Sequence, residues 1–161
     1  MADLTRERLR DAFGGFATGV AVITAATGQG DHGMTANAFM SVSLDPPLVS
    51  ISLSLRCRML GYVRQSGRYV VNVLRHDMEP LARHFAGQGD PALAIRLART
   101  QDRPVIAGAV AQFFADVQSE ILAGDHAIVI GRVTDLRRDA EARPLLFCGG
   151  KFGQMAPAAE G

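Results

Sequence analysis

Gly33-Met34-Thr35-Ala36-Asn37-Ala38-Phe39-Met40-Ser41-Val42-Ser43-Leu44-Asp45-Pro46-Pro47 gathers short hydroxyls, one amide and small residues into a segment flanked on both sides by strand-like sequence. The hydroxyls of Thr35, Ser41 and Ser43 both donate and accept hydrogen bonds, and Asn37 offers both amide roles. Gly33 and Ala36 are small enough to let backbone N–H groups approach a ligand closely. Such a segment suits a polar, planar ligand, with Pro46-Pro47 forcing an extended exit. Any one of its triplets, taken alone, is equally a polar hairpin edge with a stiff turn.

On the N-terminal side, Thr18 to Thr27 reads as a strand, Gly28 to Asp31 as a turn and His32 to Ala36 as the returning strand. Further upstream, Leu9, Ala12, Phe13 and Phe16 recur at helical spacing, which predicts an amphipathic helix over 5–16 whose apolar stripe covers the sheet. Downstream, 48–55, 68–74, 112–122, 126–136 and 144–148 are strand candidates rich in β-branched residues. The two arms around Ala123-Gly124-Asp125 form a second hairpin and place His126 at a strand start. Short helices fill the gaps at 57–65, at 77–86 with Asp77 as N-cap and Pro80 in the first turn, and at 91–99 opened by Asp90-Pro91. Many strands against few helices give a mainly β barrel or sandwich.

The chain has 161 residues, 48% of them hydrophobic and 20% charged. That composition supports a single domain spanning 1–161, with the segment beyond Met155 as a flexible tail. A net charge of +1 offers no global field for nucleic acid or an anionic membrane, so any phosphate site is local. The N-terminus lacks a signal-peptide layout and no apolar run reaches membrane length, which predicts a cytoplasmic protein. Cys57 and Cys148 form no CxxC pair and are read as free thiols.

His32, His76, His84 and His126 are dispersed, so no metal is expected. GxSxG and Walker A patterns are missing, and the single GxGxxG string, Gly28-Gln29-Gly30-Asp31-His32-Gly33, falls in the turn between two strands rather than between a strand and a helix. A nucleotide phosphate would therefore meet arginines or loop amides, and Arg56 and Arg58, between a strand and a helix, are the candidates. Their spacing is equally that of a solvated strand end. His126, beside Gly124 and Asp125, is the histidine placed to project a titratable donor toward a barrel mouth, although a surface histidine is the commoner outcome of such a context. Phe85 and Ala86, ahead of Gly87, read by default as core and helix-end residues.

Together these pieces resemble the short-chain flavin reductase family, the small reductase components of two-component flavin-dependent monooxygenases. The resemblance runs in order through Phe16-Ala17-Thr18-Gly19-Val20-Ala21-Val22-Ile23-Thr24, Gly33-Met34-Thr35-Ala36-Asn37, Ser41-Val42-Ser43-Leu44-Asp45-Pro46-Pro47-Leu48, Tyr69-Val70-Val71-Asn72-Val73-Leu74, Arg83-His84-Phe85-Ala86-Gly87 and Gly124-Asp125-His126. It implies an antiparallel, Greek-key, FMN-binding split β-barrel with a few short peripheral helices. It further implies an NAD(P)H:flavin oxidoreductase that moves hydride from NADH or NADPH to FMN or FAD, a homodimer, and a monooxygenase partner reached by diffusing reduced flavin. A split-barrel oxidoreductase that keeps its flavin and serves another acceptor such as a corrinoid, or a non-enzymatic flavin-binding module, would share the same motifs.

By this resemblance Thr35, Ala36, Asn37, Ser41, Val42 and Ser43 line the flavin ring and ribityl chain, Cys57 and Arg58 sit by its phosphate, and Phe85, Ala86 and Gly87 contact its tail. His126, with a catalytic role on the nicotinamide side, joins Lys151 and Phe152 around the NAD(P)H pocket. The chain departs from the family pattern in having Cys57 where serine is common and Met59 where a hydroxyl is usual. It also lacks tryptophan between Gln88 and Arg103, and has Gly150-Lys151-Phe152 in place of Gly-Arg-Tyr, which exchanges a guanidinium fork for a point charge.

Overall fold

The structure, a computed structural model, describes residues 3–92 and 95–156. In chain order its elements are α1 (Arg6–Gly14), β1 (Thr18–Gly19), β2 (Ala21–Thr27), β3 (Gly30–Ala36), β4 (Phe39–Leu44), β5 (Pro47–Ser54), α2 (Arg58–Ser66) and β6 (Arg68–Val73). These are followed by α3 (Glu79–Phe85), β7 (Ala98–Thr100), β8 (Arg103–Val105), β9 (Ala111–Ala123), β10 (His126–Arg138), β11 (Leu145–Cys148) and β12 (Lys151–Gln154).

The continuous apolar run of β2 is explained by burial on both faces. Ala21, Ile23 and Ala25 point into the main core, while Val22 joins Val20 in a second cluster on the other side. β2 is an interior strand, next to the edge, of a seven-stranded sheet of order β3-β2-β6-β9-β10-β5-β4, in which every pairing is antiparallel. Its two edge strands, β3 and β4, are consecutive in sequence and separated only by Asn37 and Ala38. Two residues of chain span at most about 7 Å, so the sheet must curl until its edges nearly meet: a barrel left open at one seam. The Gly33–Pro47 segment forms that seam.

The inside of the barrel is filled by Ile23, Ile51, Leu53, Tyr69, Val71, Ala127 and Val129, and Met59, Leu60 and Val63 of α2 plug it. Gly131 makes room for the Tyr69 ring: a Cβ there would run into the Tyr69 hydroxyl and come within 2.8 Å of its Cζ and 2.9 Å of Ala115 Cβ. Outside the barrel, Leu74, Met78, Ala82, Ile106 and Leu145 pack beneath α3 and the small β1-β11-β12 sheet.

Asn72 occupies the centre of a buried polar network. Its Nδ2 donates to Val22 O (2.9 Å) and Thr24 Oγ1 (3.1 Å), and its Oδ1 accepts from Ile106 N (2.9 Å). Thr24 Oγ1 in turn donates to Pro104 O (2.5 Å), and Gln112 Nε2 to Ile106 O (2.7 Å). The network ties the β7–β8 hairpin onto β2, β6 and β9.

Four sequence expectations are corrected. The helix expected at 91–99 is not formed: Pro91 and Ala92 lie in a turn, residues 93–94 fall outside the described residues, and Ala98–Thr100 is a strand paired with β8. There Arg99 is held by Asp31 and by the carbonyl of Asp102, contacts that a local pattern cannot reveal. Asp77 does not cap α3, because its carboxylate is taken by Arg75 (2.7 Å), whose guanidinium holds Asp77 below the usual carboxylate range; Met78 is the N-cap residue. The apolar side of α1 does not cover the sheet, since no residue of α1 is buried and Phe13 is 72% exposed. Pro46 does not begin an extended exit: Asp45 and Pro46, joined by a cis bond, form a two-residue hairpin turn, and the chain is extended only from Pro47, the first residue of β5. Most of the expected flexible tail (157–161 of 156–161) lies outside the described residues. Among the described residues no helix is long and apolar enough to cross a membrane.

Replacing Asn72 with leucine strands the Ile106 amide without its acceptor and removes the donors to Val22 O and Thr24 Oγ1, so unfolding free energy falls by about 2–4 kcal/mol. Hydrogen exchange at Ile106 should speed up more than exchange in β9. A thermal melt that leaves Asn72→Leu level with the parent would contradict the network's importance. Gly131→Ala overpacks the core by about 1–3 kcal/mol. Adding Tyr69→Phe to it should recover part of that loss in a double-mutant cycle, whereas simple additivity would show that the two positions do not clash.

Candidate functional site

At the seam, the outward face of β5 carries Ser50, Ser52 and Ser54, because Val49, Ile51 and Leu53 alternate with them toward the core. β10 presents Ile130, Ile128 and His126 directly opposite those serines, and Met40 of β4 pairs with Ser50. Ser52 N donates to Ala38 O (3.1 Å), which locks the Asn37-Ala38 link onto this face. Phe13, Phe16 and Thr18 complete a groove with a volume of about 720 Å³. It is apolar in most of its lining, yet Asn37, Ser50 and Ser52 spend no side-chain hydrogen bond on the protein among the described residues, and buried Thr18 Oγ1 likewise has no partner there. An apolar slot with a few unspent polar groups suits a flat ring system with a polar edge.

Asn37 and Ala36 also border a smaller cleft of about 250 Å³, with Thr35, Arg83, Ala86, Gly150 and Phe152. Thr35 Oγ1 donates to Ala82 O (2.7 Å), so its proton fastens α3 to β3. The Arg83 guanidinium lies 5.0 Å from the centre of the Phe152 ring and is bound by Glu79 one helical turn earlier (2.7 Å). Phe152 packs edge-on against Phe147 at 5.2 Å.

A third cleft, about 770 Å³, continues along β3 from Gly33 toward Asp31 and contains His32, Arg58, His84, Phe85, Gly87 and Arg96. Phe85 packs directly on Gly33, where a Cβ would come within 2.6 Å of its ring, so only glycine admits it. Gly87, at φ +75°, turns the chain off the end of α3. His32 stacks edge-on against Tyr62 at 4.7 Å. Burial, and then the Arg58 charge, hold its pKa below the ordinary histidine value.

The fold thus brings Ala36 and Asn37 to the junction of two clefts, Thr35, Ala86 and Phe152 to the smaller one, and Arg58, Phe85 and Gly87 to the third. Cys57 is the N-cap residue of α2 and makes no side-chain capping bond. Ser41, Val42 and Ser43 lie along edge strand β4, with a bulge between Ser41 and Ser43, and line none of these three clefts. His126 shares the serine face but lies beyond Ile128; its Nδ1 is 2.7 Å from Asp125 Oδ1, a bond that lowers the Asp125 pKa. Lys151 is exposed on β12, and Arg83 is the cation beside Phe152. Within one chain, therefore, Phe152 lines the smaller cleft and His126 lines none of the three.

Sequence reasoning missed Ser50, Ser52, Thr18, Arg83, His32 and Arg96. The serine alternation Val49-Ser50-Ile51-Ser52-Leu53-Ser54 was the one local signal available.

The family profile for the flavin reductase like domain matches residues 13–156. An NADH-dependent flavin reductase from Rhodococcus sp. is 40% identical over 156 residues, covering 95% of this chain and 88% of the relative. The reductase component of 4-hydroxyphenylacetate 3-monooxygenase from Thermus thermophilus is 35% identical over 142 residues, covering 88% and 91%. The structure of flavin reductase PheA2 in its native state superposes with a TM-score of 0.91 at 44% identity, covering 96% of this chain and 100% of that one. With its seam-opened antiparallel barrel and its clefts gathered at Asn37, the chain belongs to the flavin reductase family.

Proposed function

We propose that the protein is a single-domain, cytoplasmic, homodimeric NADH:flavin oxidoreductase that releases reduced flavin to a separate monooxygenase. The observation that carries this reading is the Asn37 junction, where an amide, backbone groups and two serine hydroxyls without protein partners face an apolar groove among the described residues. Bound flavin supplies the electrophilic ring that accepts hydride from NADH. The residues of the chain orient that ring and exclude water from it. Asn37, Ser50 and Ser52 can donate hydrogen bonds to a ring edge that gains negative charge, where preorganised donors are worth most. None of them needs to exchange a proton with solvent.

Arg58 in the third cleft provides the charge for the flavin phosphate. Phe152, backed by Phe147 and crossed by Arg83, provides a flat wall and a guanidinium for the nicotinamide dinucleotide. Each of these contacts is modest, which suits a flavin that must leave as product.

The homodimer is supported by apolar side chains left in water around the groove: Phe13, Phe16 at 78% exposure, and Met40 at 60%. A second copy covering them would also close the open side of the slot. Because His126 and Phe152 do not meet within one chain, such closure is one route by which both could serve the same nicotinamide.

The purified protein should oxidise NADH in air at a rate that rises with added FMN, FAD or riboflavin. Saturable flavin binding without NADH oxidation would leave a binding module. Asn37→Asp sets a negative charge against the ring edge and should lower kcat by about tenfold or more, with thermal stability little changed; equal turnover would remove Asn37 from the site. Light scattering should give twice the chain mass for the parent and a shift toward the monomer for Phe16→Asp. A parent that runs as a monomer would overturn the dimer.

A further inference from the structure

A fourth cleft, of about 390 Å³, lies between the β7–β8 hairpin, the start of β9 and the end of β10. It shares no lining residue with the groove at the seam or with the other two clefts. Its volume is that of a pocket for a small molecule.

Two guanidinium groups, Arg137 and Arg138, line this cleft, and no carboxylate pairs with either among the described residues. Arg137 Nη1 donates to Thr100 Oγ1 (3.3 Å), and its guanidinium carbon is 6.0 Å from the centre of the Phe114 ring. These contacts hold the Arg137 head beside the hairpin and spend one of its five N–H donors. Thr100, as the acceptor in that bond, keeps its own proton to give. The carboxylate in the lining, Asp139, has Oδ1 occupied by Glu141 N (3.0 Å), so guanidinium outnumbers carboxylate two to one.

The floor adds donors and one buried amide. Gly108, at φ +74°, completes a turn closed by Ala109 N and Ile106 O (3.4 Å), and the N–H groups of Ala107 and Gly108 have no backbone acceptor among the described residues. Gln112 is 7% exposed; its Nε2 donates to Ile106 O (2.7 Å), while its Oε1 accepts nothing among the described residues. Ala98, Val105 and Ala109 supply a short apolar wall.

We propose that this cleft is a second binding site, for a small organic anion: a carboxylate on Arg137 and Arg138, with a compact apolar body against Ala98, Val105 and Ala109. The planar fork of an arginine matches the two oxygens of a carboxylate, and Thr100 and the Ala107–Gly108 amides donate to whatever lone pairs remain. Inorganic phosphate offers the guanidinium groups the same oxygens but leaves the apolar wall in water, so it binds more weakly. The inference is independent of the flavin reading, because the cleft takes no residue from the seam.

Benzoate, its uncharged counterpart benzyl alcohol and inorganic phosphate serve as probes, each titrated at constant ionic strength into the isotopically labelled chain with amide shifts as the readout. Benzoate should saturate with shifts at Thr100, Ala107, Gly108 and Gln112, whether or not FMN is present in excess. Phosphate and benzyl alcohol should each bind at least about tenfold more weakly. Arg137 and Arg138 are exposed, so the chain tolerates their replacement. Arg137→Met should weaken benzoate by about tenfold, and Arg137→Lys, which keeps the charge and loses the fork, should weaken it less. NADH oxidation with added FMN should be the same in Arg137→Met as in the parent. Benzoate shifts that fall at Asn37 or Ser50 and disappear with FMN would overturn the proposal. Phosphate or benzyl alcohol binding as tightly as benzoate, or unchanged benzoate affinity in Arg137→Met, would do the same. A loss of NADH oxidation in a folded Arg137→Met would assign the cleft to the reductase machinery instead.

Discussion

The two-residue link Asn37-Ala38 is the constraint on which the rest of the molecule depends. Seven antiparallel strands with β3 at one edge and β4 at the other could form an open twisted sheet, but a link this short forces those edges to meet at one corner. The sheet therefore rolls around the Ile23, Ile51, Tyr69 and Val129 core, with α2 as its plug. The seam stays unpaired because, among the described residues, the strand ladder of β4 runs only with β5 and that of β3 only with β2. An unpaired seam is an aggregation risk in a bare sheet. Here it becomes the place where the groove and the Phe152 cleft meet, at Ala36 and Asn37.

Much of the fold was legible because burial imposes a pattern on sequence. β2 could be read from an apolar, β-branched run, which a strand buried on both faces requires, and the β9–β10 hairpin from alternation on either side of Ala123-Gly124-Asp125. The β7–β8 hairpin was not legible. Its strands are three residues each, and the groups that hold it are remote in sequence: Asn72 is 34 positions from Ile106, Asp31 is 68 from Arg99, and Thr24 is 80 from Pro104. The exposed face of α1 was also misread, since helical spacing shows where a stripe lies and not what covers it.

The site was legible in its motif residues and opaque in the partners they acquire. Asn37 borders the groove and the smaller cleft and Thr35 the smaller cleft, yet the Thr35 proton is committed to holding α3, a role no residue type announces. Arg83 replaces Lys151 as the cation beside Phe152 because α3 docks with its last turn over β12. His32, Arg58 and Arg96 come from three separate parts of the chain and share a cleft that the end of α3 borders, with Phe85 seated on Gly33.

The most direct test of the seam as the flavin site is an amide chemical-shift titration of the isotopically labelled protein with FMN. Saturable shifts concentrated at Asn37, Ala38, Ser50 and Ser52, with smaller ones at Arg58 and Phe85, would bear it out. Shifts confined to the Arg137 and Asp139 end of the barrel, with the seam amides unmoved, would contradict it.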